Sequence, residues 1–205
     1  MLKNIVFDMG NVILDFDPRK MASFFTKEEE ALDIVCTELF SNKEWLELDK
    51  GVTDEETALK GICERVPEEY HDLCREIIYG WYKYFLPIEG SYEAVKELKE
   101  RGFGMYMLTN AALSIHEYRK NSPAFDLMDR ILISSEEKML KPDSEIYIRL
   151  LEKFGLKAEE CLFIDDSEAN IRAAEALGFY GLIFDKRDPQ SMIRRVDEII
   201  ASEKK

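Results

Sequence analysis

The feature that most restricts the fold of this chain is a regular alternation of strand and helix patterns after Pro87. Short apolar runs alternate there with longer segments in which apolar residues recur every three or four positions. The helical segments end at Gly102, Gly155 and Gly178, and glycine is common just beyond a helix C-terminus. Because such alternation requires crossover connections, it predicts an α/β fold with a doubly wound parallel sheet.

The start of the chain supplies one more strand for this sheet. Leu2–Phe7 is a nearly continuous apolar run, which is typical of a parallel strand buried on both faces, and Asp8 follows it. The sequence therefore predicts a Rossmann-type α/β core domain made of residues 1–17 and 88–205. Ligands of such sheets bind at the carboxyl ends of the strands, so functional residues are expected there.

The segment between these two parts has a different pattern. Helical periodicity runs through most of it, and Thr53 followed by Glu56 resembles a capping box at the start of a helix. The periodicity also predicts a long helix over Tyr70–Phe85, before Pro87. We expect residues 18–87 to form an all-helical insert after the first strand.

The charge balance limits the possible partners. The 205 residues include 42 acidic and 28 basic ones, which gives a formal net charge of −14. This charge repels nucleic acid and anionic membranes, and a phosphate site would need a local cation or metal ion. No apolar run is long enough to span a bilayer, and the first residues lack a signal-peptide pattern. The four cysteines lack metal-site spacing, so we expect free thiols in a reducing cytoplasm.

Polar residues follow the apolar runs at the points where the strands should end. Asp8 follows the first run, Thr109-Asn110 the second, and Asp165-Asp166 a later one. Lys141 lies beyond the third predicted strand. Because the strands are predicted to be parallel, these side chains are expected to converge at one edge of the sheet.

Each of these residue types has a function in phosphoryl transfer. The carboxylate of Asp8 can attack phosphorus and so divide hydrolysis into two easier steps. Together with Asp165-Asp166 it can hold Mg²⁺, a hard cation that prefers oxygen ligands. Lys141 offsets negative charge, while Thr109-Asn110 and backbone N–H groups after Asp8 can donate hydrogen bonds to phosphate oxygens.

Taken singly, each residue has a simpler structural explanation. An aspartate or a Thr-Asn pair after a strand is commonly a turn or a helix cap, and an Asp-Asp pair is commonly solvated. A Lys-Pro pair is mostly found on the surface. Their occurrence together, in order and at successive strand ends, favours one functional site over four unrelated structural features.

The order of these motifs resembles the haloacid dehalogenase superfamily. The four motifs begin at Asp8, Leu108, Leu140 and Phe163 and read DMGNV, LTN, LKPD and FIDDS. The resemblance covers the predicted core and implies that the insert is this family's cap domain. The DMGNV opening is similar to that of bacterial α-D-glucose-1-phosphate phosphatases. This implies a Mg²⁺-dependent phosphatase that acts on a small phosphorylated metabolite, such as a hexose 1-phosphate, through an aspartyl-phosphate.

The resemblance also implies a role for each motif residue. Asp8 would be the nucleophile, Lys141 the lysine that balances its charge, and Thr109 a phosphate ligand. The loop at residues 49–53 is similar to a cap loop that faces the active site in sugar-phosphate members. The further candidate substrate contacts are Asn11, Asn110 and Lys50.

The implied metal shell contains one departure from the family. Asp8, Asp166 and the carbonyl of Gly10 would hold the metal, with Asp165 acting through water or by orienting Lys141. Most phosphatases of this superfamily have a second aspartate where this chain has Gly10, and it serves as general acid and base. Such catalysis is typically worth ~10²–10⁴-fold in rate, so its absence has consequences.

Three explanations for Gly10 remain open. The leaving group can be one that needs little protonation, such as the anomeric hydroxyl of a sugar 1-phosphate. Another carboxylate can replace the missing one, and Asp15 and Asp17 are candidates, although surface positions on a flap are their simpler interpretation. Alternatively, the chain is a 2-haloacid dehalogenase with Asp8 as nucleophile. Dehalogenation of this kind needs no metal, so the acidic pair Asp165-Asp166 favours a phosphatase.

Two further hypotheses are weaker. A phosphoglucomutase-like enzyme would need the acid and base missing at Gly10. A non-catalytic metabolite-binding protein would have no need for Asp8, Lys141 and Asp166 together. We expect a monomer or a weak homodimer. We also expect Trp45 and Trp81 to be core residues rather than a platform on which a sugar stacks.

Overall fold

The structure is a computed structural model that describes residues 1–184 and 188–202. The predicted core domain also includes residues 185–187 and 203–205, which lie outside the described residues. The strands of the described chain are β1 (Asn4–Phe7), β2 (Gly104–Thr109), β3 (Arg130–Ile133), β4 (Cys161–Asp165) and β5 (Tyr180–Ile183). They form a five-stranded sheet in the order β3-β2-β1-β4-β5, and every neighbouring pair is parallel.

This strand order confirms the predicted α/β fold with a doubly wound parallel sheet. The chain builds outward from β1 through β2 to β3 and then returns to the other side of β1 with β4 and β5. The direction of winding therefore reverses between β1 and β4, and ligands of such sheets bind outside the strand carboxyl ends at this reversal. The topology places the residues that follow β1 next to those that follow β4.

Apolar residues cover both faces of the sheet. Ile5 and Phe7 belong to one core cluster, while Val6 between them belongs to the other. All three are fully buried, because successive side chains of a strand point to opposite faces. A core on each side explains why Leu2–Phe7 is continuously apolar rather than alternating.

The helices follow the chain in this order: α1 (Pro18–Ala22), α2 (Glu29–Ile34), α3 (Lys43–Lys50), α4 (Glu55–Cys63), α5 (His71–Ile78), α6 (Ser91–Glu100), α7 (Ile115–Tyr118), α8 (Ser134–Glu137), α9 (Ser144–Phe154), α10 (Glu168–Glu175) and α11 (Pro189–Ser202). A π-helix spans Val35–Phe40. Short 3₁₀ helices span Glu68–Tyr70, Trp81–Tyr84, Arg119–Asn121, Pro123–Leu127 and Ala158–Glu160.

The segment between β1 and α6 is helical, as its periodicity predicts, but the helix boundaries differ. The predicted helix over Tyr70–Phe85 is broken, because α5 ends at Ile78 and a 3₁₀ helix begins at Trp81. The break falls at Gly80, where a Cβ would lie only 2.8 Å from the carbonyl oxygen of Glu76. Only glycine fits this turn without displacing the backbone of α5.

The predicted capping box is wrong by one residue. Asp54 rather than Thr53 is the N-cap of α4, and its Oδ1 accepts a hydrogen bond from the backbone N–H of Thr57 at 2.7 Å. A carboxylate at this position also interacts favourably with the helix dipole.

The division into a core and a cap domain at residues 18–87 stays a prediction. None of the described helices is both long and apolar enough to cross a bilayer.

Candidate active site

The candidate site lies at the carboxyl ends of β1 and β4. Asp8 directly follows β1, and its backbone N–H donates to the carbonyl of Ile164 at 2.8 Å, which continues the pairing with β4. Asp165 is the last residue of β4, and Asp166 follows it. The sheet therefore brings together carboxylates that are more than 150 positions apart in the sequence.

Lys141 bridges two of these carboxylates. Its Nζ lies 2.7 Å from Oδ1 of Asp8 and 2.7 Å from Oδ2 of Asp165. The lysine side chain is 2% exposed and that of Asp165 fully buried, so these ion pairs are protected from water and salt. Buried pairs of this kind persist because each charge compensates the desolvation of the other.

Neighbouring amides hold the lysine and its partner in place. Asn110 accepts from the backbone N–H of Lys141 at 2.9 Å and donates to its carbonyl at 3.0 Å. Asn170 donates to both carboxylate oxygens of Asp165, and the backbone N–H of Ser167 donates to one of them at 2.8 Å. Both carboxylate oxygens of Asp165 therefore accept hydrogen bonds within the protein, which hold this carboxylate beside Lys141.

Three carboxylates at the site are close enough to share a cation. Asp8, Asp165 and Asp166 each offer an oxygen within 4.8 Å of the others. The side-chain amide of Asn11 donates to Oδ2 of Asp166 at 2.9 Å, and its Oδ1 accepts from the backbone N–H of Phe16. Within the described residues, Lys141 supplies the ammonium group of this cluster, and it bonds Asp8 and Asp165.

Burial and the neighbouring charges together shift the pKa values of the site residues. Burial raises the pKa of Asp8 against the opposing effect of Lys141, and the charge of Asp165 adds to the increase. Burial also raises the pKa of Asp166, although Asn11 opposes this. Burial alone would lower the pKa of Lys141, but Asp8 and Asp165 outweigh it and raise this pKa. A further positive charge beside Asp8 would keep it ionised.

A cavity of about 260 Å³ opens over this cluster. Its polar floor includes Asp8, Asn110, Lys141, Asp166 and Asn170. The opposite wall is aromatic and consists of Phe16, Trp45, Trp81, Phe85 and Tyr118. These rings also contact one another, with centroids between 5.2 and 6.1 Å apart in most pairs, so the predicted core position of Trp45 and its function as a cavity wall coincide.

Asp49 also lines this cavity, and the sequence interpretation did not select it as a site residue. The residue is the penultimate one of α3 and precedes Lys50 and Gly51. Lys50, its neighbour and the predicted substrate contact, is not among the described residues that line the cavity. Asp49 and Lys50 belong to the last turn of α3, and the sequence could not show that Asp49 rather than Lys50 lines the cavity.

The other predicted residues lie at or near the site in different ways. Asn11 and Asn110 line the cavity, although both side chains also make the protein hydrogen bonds described above. Thr109 is buried at the end of β2, where its hydroxyl lies 3.5 Å from the carbonyl of Asn110. Gly10 lines the cavity, and a Cβ there would meet only ordinary contacts, so packing does not require glycine.

The two carboxylates proposed as substitutes for the missing aspartate have other partners. Asp15 forms an ion pair with Lys20 at 2.7 Å, and Asp17 caps the N-terminus of α1. Neither is among the described residues that line the cavity. Fold and site together define an α/β enzyme with a candidate carboxylate nucleophile beside a buried lysine, beneath a helical insert.

Comparison with known proteins identifies the family. A family model described as haloacid dehalogenase-like hydrolase matches residues 2–178 of this chain. Because this match covers most of the sequence, the chain belongs to the haloacid dehalogenase-like hydrolases. The predicted resemblance is thereby confirmed, and the protein is a hydrolase.

The chain also shows partial similarity to individual proteins. A sesquiterpene phosphatase, astK of Aspergillus oryzae, is 35% identical over 89 residues, which are 43% of this chain and 45% of that protein. The chain therefore matches less than half the length of this curated relative. A HAD family enzyme of Bacteroides thetaiotaomicron in complex with magnesium and inorganic phosphate is 23% identical, with a TM-score of 0.70 over 89% of this chain and 94% of that one. L-2-haloacid dehalogenase of Xanthobacter autotrophicus is 17% identical, with a TM-score of 0.66 over 97% and 83% of the two chains.

Proposed function

We propose that this hydrolase is a Mg²⁺-dependent phosphatase that removes phosphate from a small phosphomonoester through an aspartyl-phosphate on Asp8. The observation that supports this most directly is the cluster of Asp8, Asp165 and Asp166, of which Asp8 and Asp165 bond Lys141 and Asp8 and Asp166 line the cavity. Three carboxylates and one ammonium suit a site that also receives a divalent cation and a phosphate dianion.

The donor set fits magnesium. Asp8, Asp166 and the carbonyl of Gly10 would hold the ion, and all three residues line the cavity. When bound, Mg²⁺ would neutralise phosphate oxygens and reduce the repulsion between the substrate and the nucleophile. The solved relative from Bacteroides thetaiotaomicron, which is a complex with magnesium and inorganic phosphate, gives independent support for this choice of ion.

The residues of the chain divide the remaining work. Asp8 attacks phosphorus, and its neighbour Lys141 offsets the charge on the nucleophile and on the transferred group. Asp165 keeps Lys141 oriented, since it accepts from the lysine while Asn170 and Ser167 fix its own position. Thr109 is the proposed further phosphate contact.

The aromatic wall bears on the substrate class. A hexose 1-phosphate is the leading candidate, because sugar rings stack on aromatic faces such as those of Trp45 and Trp81. The same wall would accept an apolar chain, and the likeness to a sesquiterpene phosphatase makes a prenyl phosphate the second candidate. The four free cysteines of the chain support a reducing, cytoplasmic location for the reaction.

A 2-haloacid dehalogenase is the alternative reaction for the same nucleophile. The three-carboxylate cluster disfavours it, because Asp166 beside Asp8 has no assigned task when no cation is bound. Likeness of fold does not decide between the two, since the chain resembles both a dehalogenase and a magnesium–phosphate complex at low identity.

The proposal is tested by hydrolysis of p-nitrophenyl phosphate and of a panel containing hexose 1-phosphates, hexose 6-phosphates and farnesyl phosphate. We expect release of phosphate with Mg²⁺ and none after EDTA. Asp8→Asn should reduce the rate to background, because an amide is not a nucleophile here. The matched control is Asp126→Asn, which changes an exposed aspartate that is not among the described residues lining the cavity and should act as wild type.

Two results would contradict the proposal. One is full activity of an Asp8→Asn variant whose melting temperature equals that of the wild-type protein. The other is phosphate release that survives EDTA together with chloride release from 2-chloropropionate, which would assign the site to dehalogenation. A preference for 6-phosphates would remove the leaving-group explanation for Gly10.

A further inference from the structure

We propose that Asp49, supplied by the helical insert, is the general acid and base that the position of Gly10 lacks. This inference rests on the proposed phosphatase function, because it assigns the proton transfers of that reaction. The described residues that line the cavity include three carboxylates, those of Asp8, Asp49 and Asp166. Asp8 is the proposed nucleophile and Asp166 a proposed metal ligand, so Asp49 is the carboxylate without an assigned task.

Asp49 lines the same cavity as Gly10 but comes from a different part of the chain. Asp8 and Gly10 belong to the core, whereas Asp49 stands near the end of α3 in the insert. Its carboxyl is close enough to Asp8 and Lys141 to interact electrostatically with both. A group so placed can reach the leaving oxygen of a phosphate ester bound between the two parts.

The backbone around Asp49 is attached to the core at several points. The hydroxyl of Ser134 donates to the carbonyl of Asp49, and Lys138 donates to the carbonyl of Gly51. Gly51 has a positive φ of 69°, and a Cβ there would lie 2.2 Å from the carbonyl oxygen of Ser135. The end of α3 is therefore pressed against α8, which fixes the position of Asp49 relative to Asp8.

The environment of the carboxyl suits proton transfer. Although Asp49 is half-buried as a residue, its carboxyl is enclosed, and burial raises its pKa to about 7. The backbone N–H of Ala112 and the charge of Lys141 oppose this increase, while the charge of Asp8 adds to it. Tyr118 faces the same carboxyl, but burial raises the pKa of its hydroxyl so far that it stays protonated. A group that titrates near neutral pH can both donate and accept a proton.

The proton balance of the two steps follows. In the first step an oxygen of Asp8 bonds to phosphorus, the bond from phosphorus to the ester oxygen breaks, and protonated Asp49 gives its proton to that oxygen to release the alcohol. In the second step water bonds to phosphorus and loses a proton to the Asp49 carboxylate. The bond between phosphorus and Asp8 breaks, inorganic phosphate leaves, and Asp49 is protonated again.

The test compares two aryl esters whose leaving groups differ in their need for a proton. p-Nitrophenolate is a stable anion, whereas phenolate is more basic and leaves more readily with a proton. Asp49→Asn keeps the shape of the side chain and an oxygen that can accept from Ala112. We expect it to lower kcat/KM for phenyl phosphate by ~10²-fold or more and that for p-nitrophenyl phosphate by less than ~10-fold.

A rapid-quench measurement adds a second readout. Because the variant also lacks the base for the second step, p-nitrophenol should appear in a burst near one equivalent, followed by slow turnover. The matched control is Glu47→Gln, which changes a carboxylate two residues earlier on α3 that is not among the described residues lining the cavity. It should show neither effect.

The outcomes separate this inference from the proposed function. If the wild-type protein hydrolyses neither ester, the phosphatase assignment itself fails. If it hydrolyses both and Asp49→Asn is as active as wild type, Asp49 has no catalytic role. An equal loss for both esters without a burst would mean that Asp49 has only a structural role, and it would overturn the inference as well.

Discussion

Lys141 lies between two carboxylates, and its positive charge offsets the negative charge of both inside the protein. Asp165 is completely buried, so water cannot replace the lysine as its partner. Removing one member of a buried charge pair leaves the other uncompensated, which is far more costly than removing a surface pair. The stability of the core and the reactivity of Asp8 therefore depend on the same ammonium group.

Lys141→Met should lower the free energy of unfolding by about 3–5 kcal/mol at pH 8 and abolish phosphatase activity. The loss of stability should be smaller at pH 5, because the freed carboxyl groups can then take up protons. Urea unfolding at both pH values measures this. Lys153→Met is the control, because Lys153 forms a partly exposed ion pair with Glu137. Its loss should lower the free energy of unfolding by only about 0–1 kcal/mol. Equal costs for the two variants would contradict the prediction.

Residues at strand ends were the part of the site that sequence could predict. A parallel sheet brings all its carboxyl ends to one edge, so Asp8 and Asp165-Asp166 could be placed at the same edge from the apolar runs alone. Asp49 could not be found in this way, because it comes from a helix whose packing on the core depends on tertiary contacts. The signal that existed was Gly51 directly after the helix, but glycine at a helix end has a local explanation as well.

Among the elements, α3 of the insert packs against α8. It ends at Gly51, whose left-handed backbone lies against the carbonyl of Ser135. The same helix brings Trp45 and Asp49 to the cavity. The packing of α3 against α8 therefore positions Trp45 in the aromatic wall and the carboxyl of Asp49 near Asp8.

Gly51→Ala should destabilise the protein by about 1–3 kcal/mol and lower phosphatase activity more than tenfold. A Cβ there adds a left-handed backbone penalty of about 1–2 kcal/mol and a collision with Ser135 that displaces the end of α3. Gly155→Ala is a matched control, because Gly155 also ends a helix at a φ of 67° but has nothing within 4 Å of a Cβ. It should cost a similar backbone penalty and leave activity unchanged.

Chemical denaturation and steady-state kinetics on both glycine variants measure this difference. The prediction fails if Gly155→Ala loses as much activity as Gly51→Ala, since the loss would then follow from stability alone.

Helix ends of this kind also show where sequence interpretation was limited. Glycines after helices marked most ends correctly, but the break at Gly80 inside a periodic segment arises from a contact with Glu76 that periodicity cannot reveal.

For the molecule as a whole, the fold class followed from the order of apolar runs and the crossovers they require. The strand order β3-β2-β1-β4-β5 was not determined by that pattern, because each crossover can in principle continue on either side of the sheet. The motif residues reduced this freedom, since Asp8 and Asp165-Asp166 can share a cation only if β1 and β4 are neighbours.

The folded protein binds a proton at Asp49 at pH values where the unfolded chain does not. Burial raises the pKa of this carboxyl from 3.8 to about 7, with Asp8, Lys141 and Tyr118 as the titratable groups that interact with it. Between these values the folded state holds more protons than the unfolded state. The free energy of unfolding therefore falls as the pH rises through this window. The same enclosure that prepares Asp49 for proton transfer costs the whole molecule stability at neutral and alkaline pH.

Asp49→Asn removes this titration, so the variant should be more stable than the wild type at pH 8 although it is less active. The gain should be at least ~1 kcal/mol in the free energy of unfolding at pH 8, because each unit of pKa difference corresponds to ~1.4 kcal/mol, and it should vanish near pH 4. Urea unfolding in EDTA at several pH values measures it, with Glu47→Gln as a control whose difference from wild type should stay constant. A constant difference for Asp49→Asn too would show that its carboxyl titrates alike in both states, and would place it in contact with water rather than enclosed above Asp8.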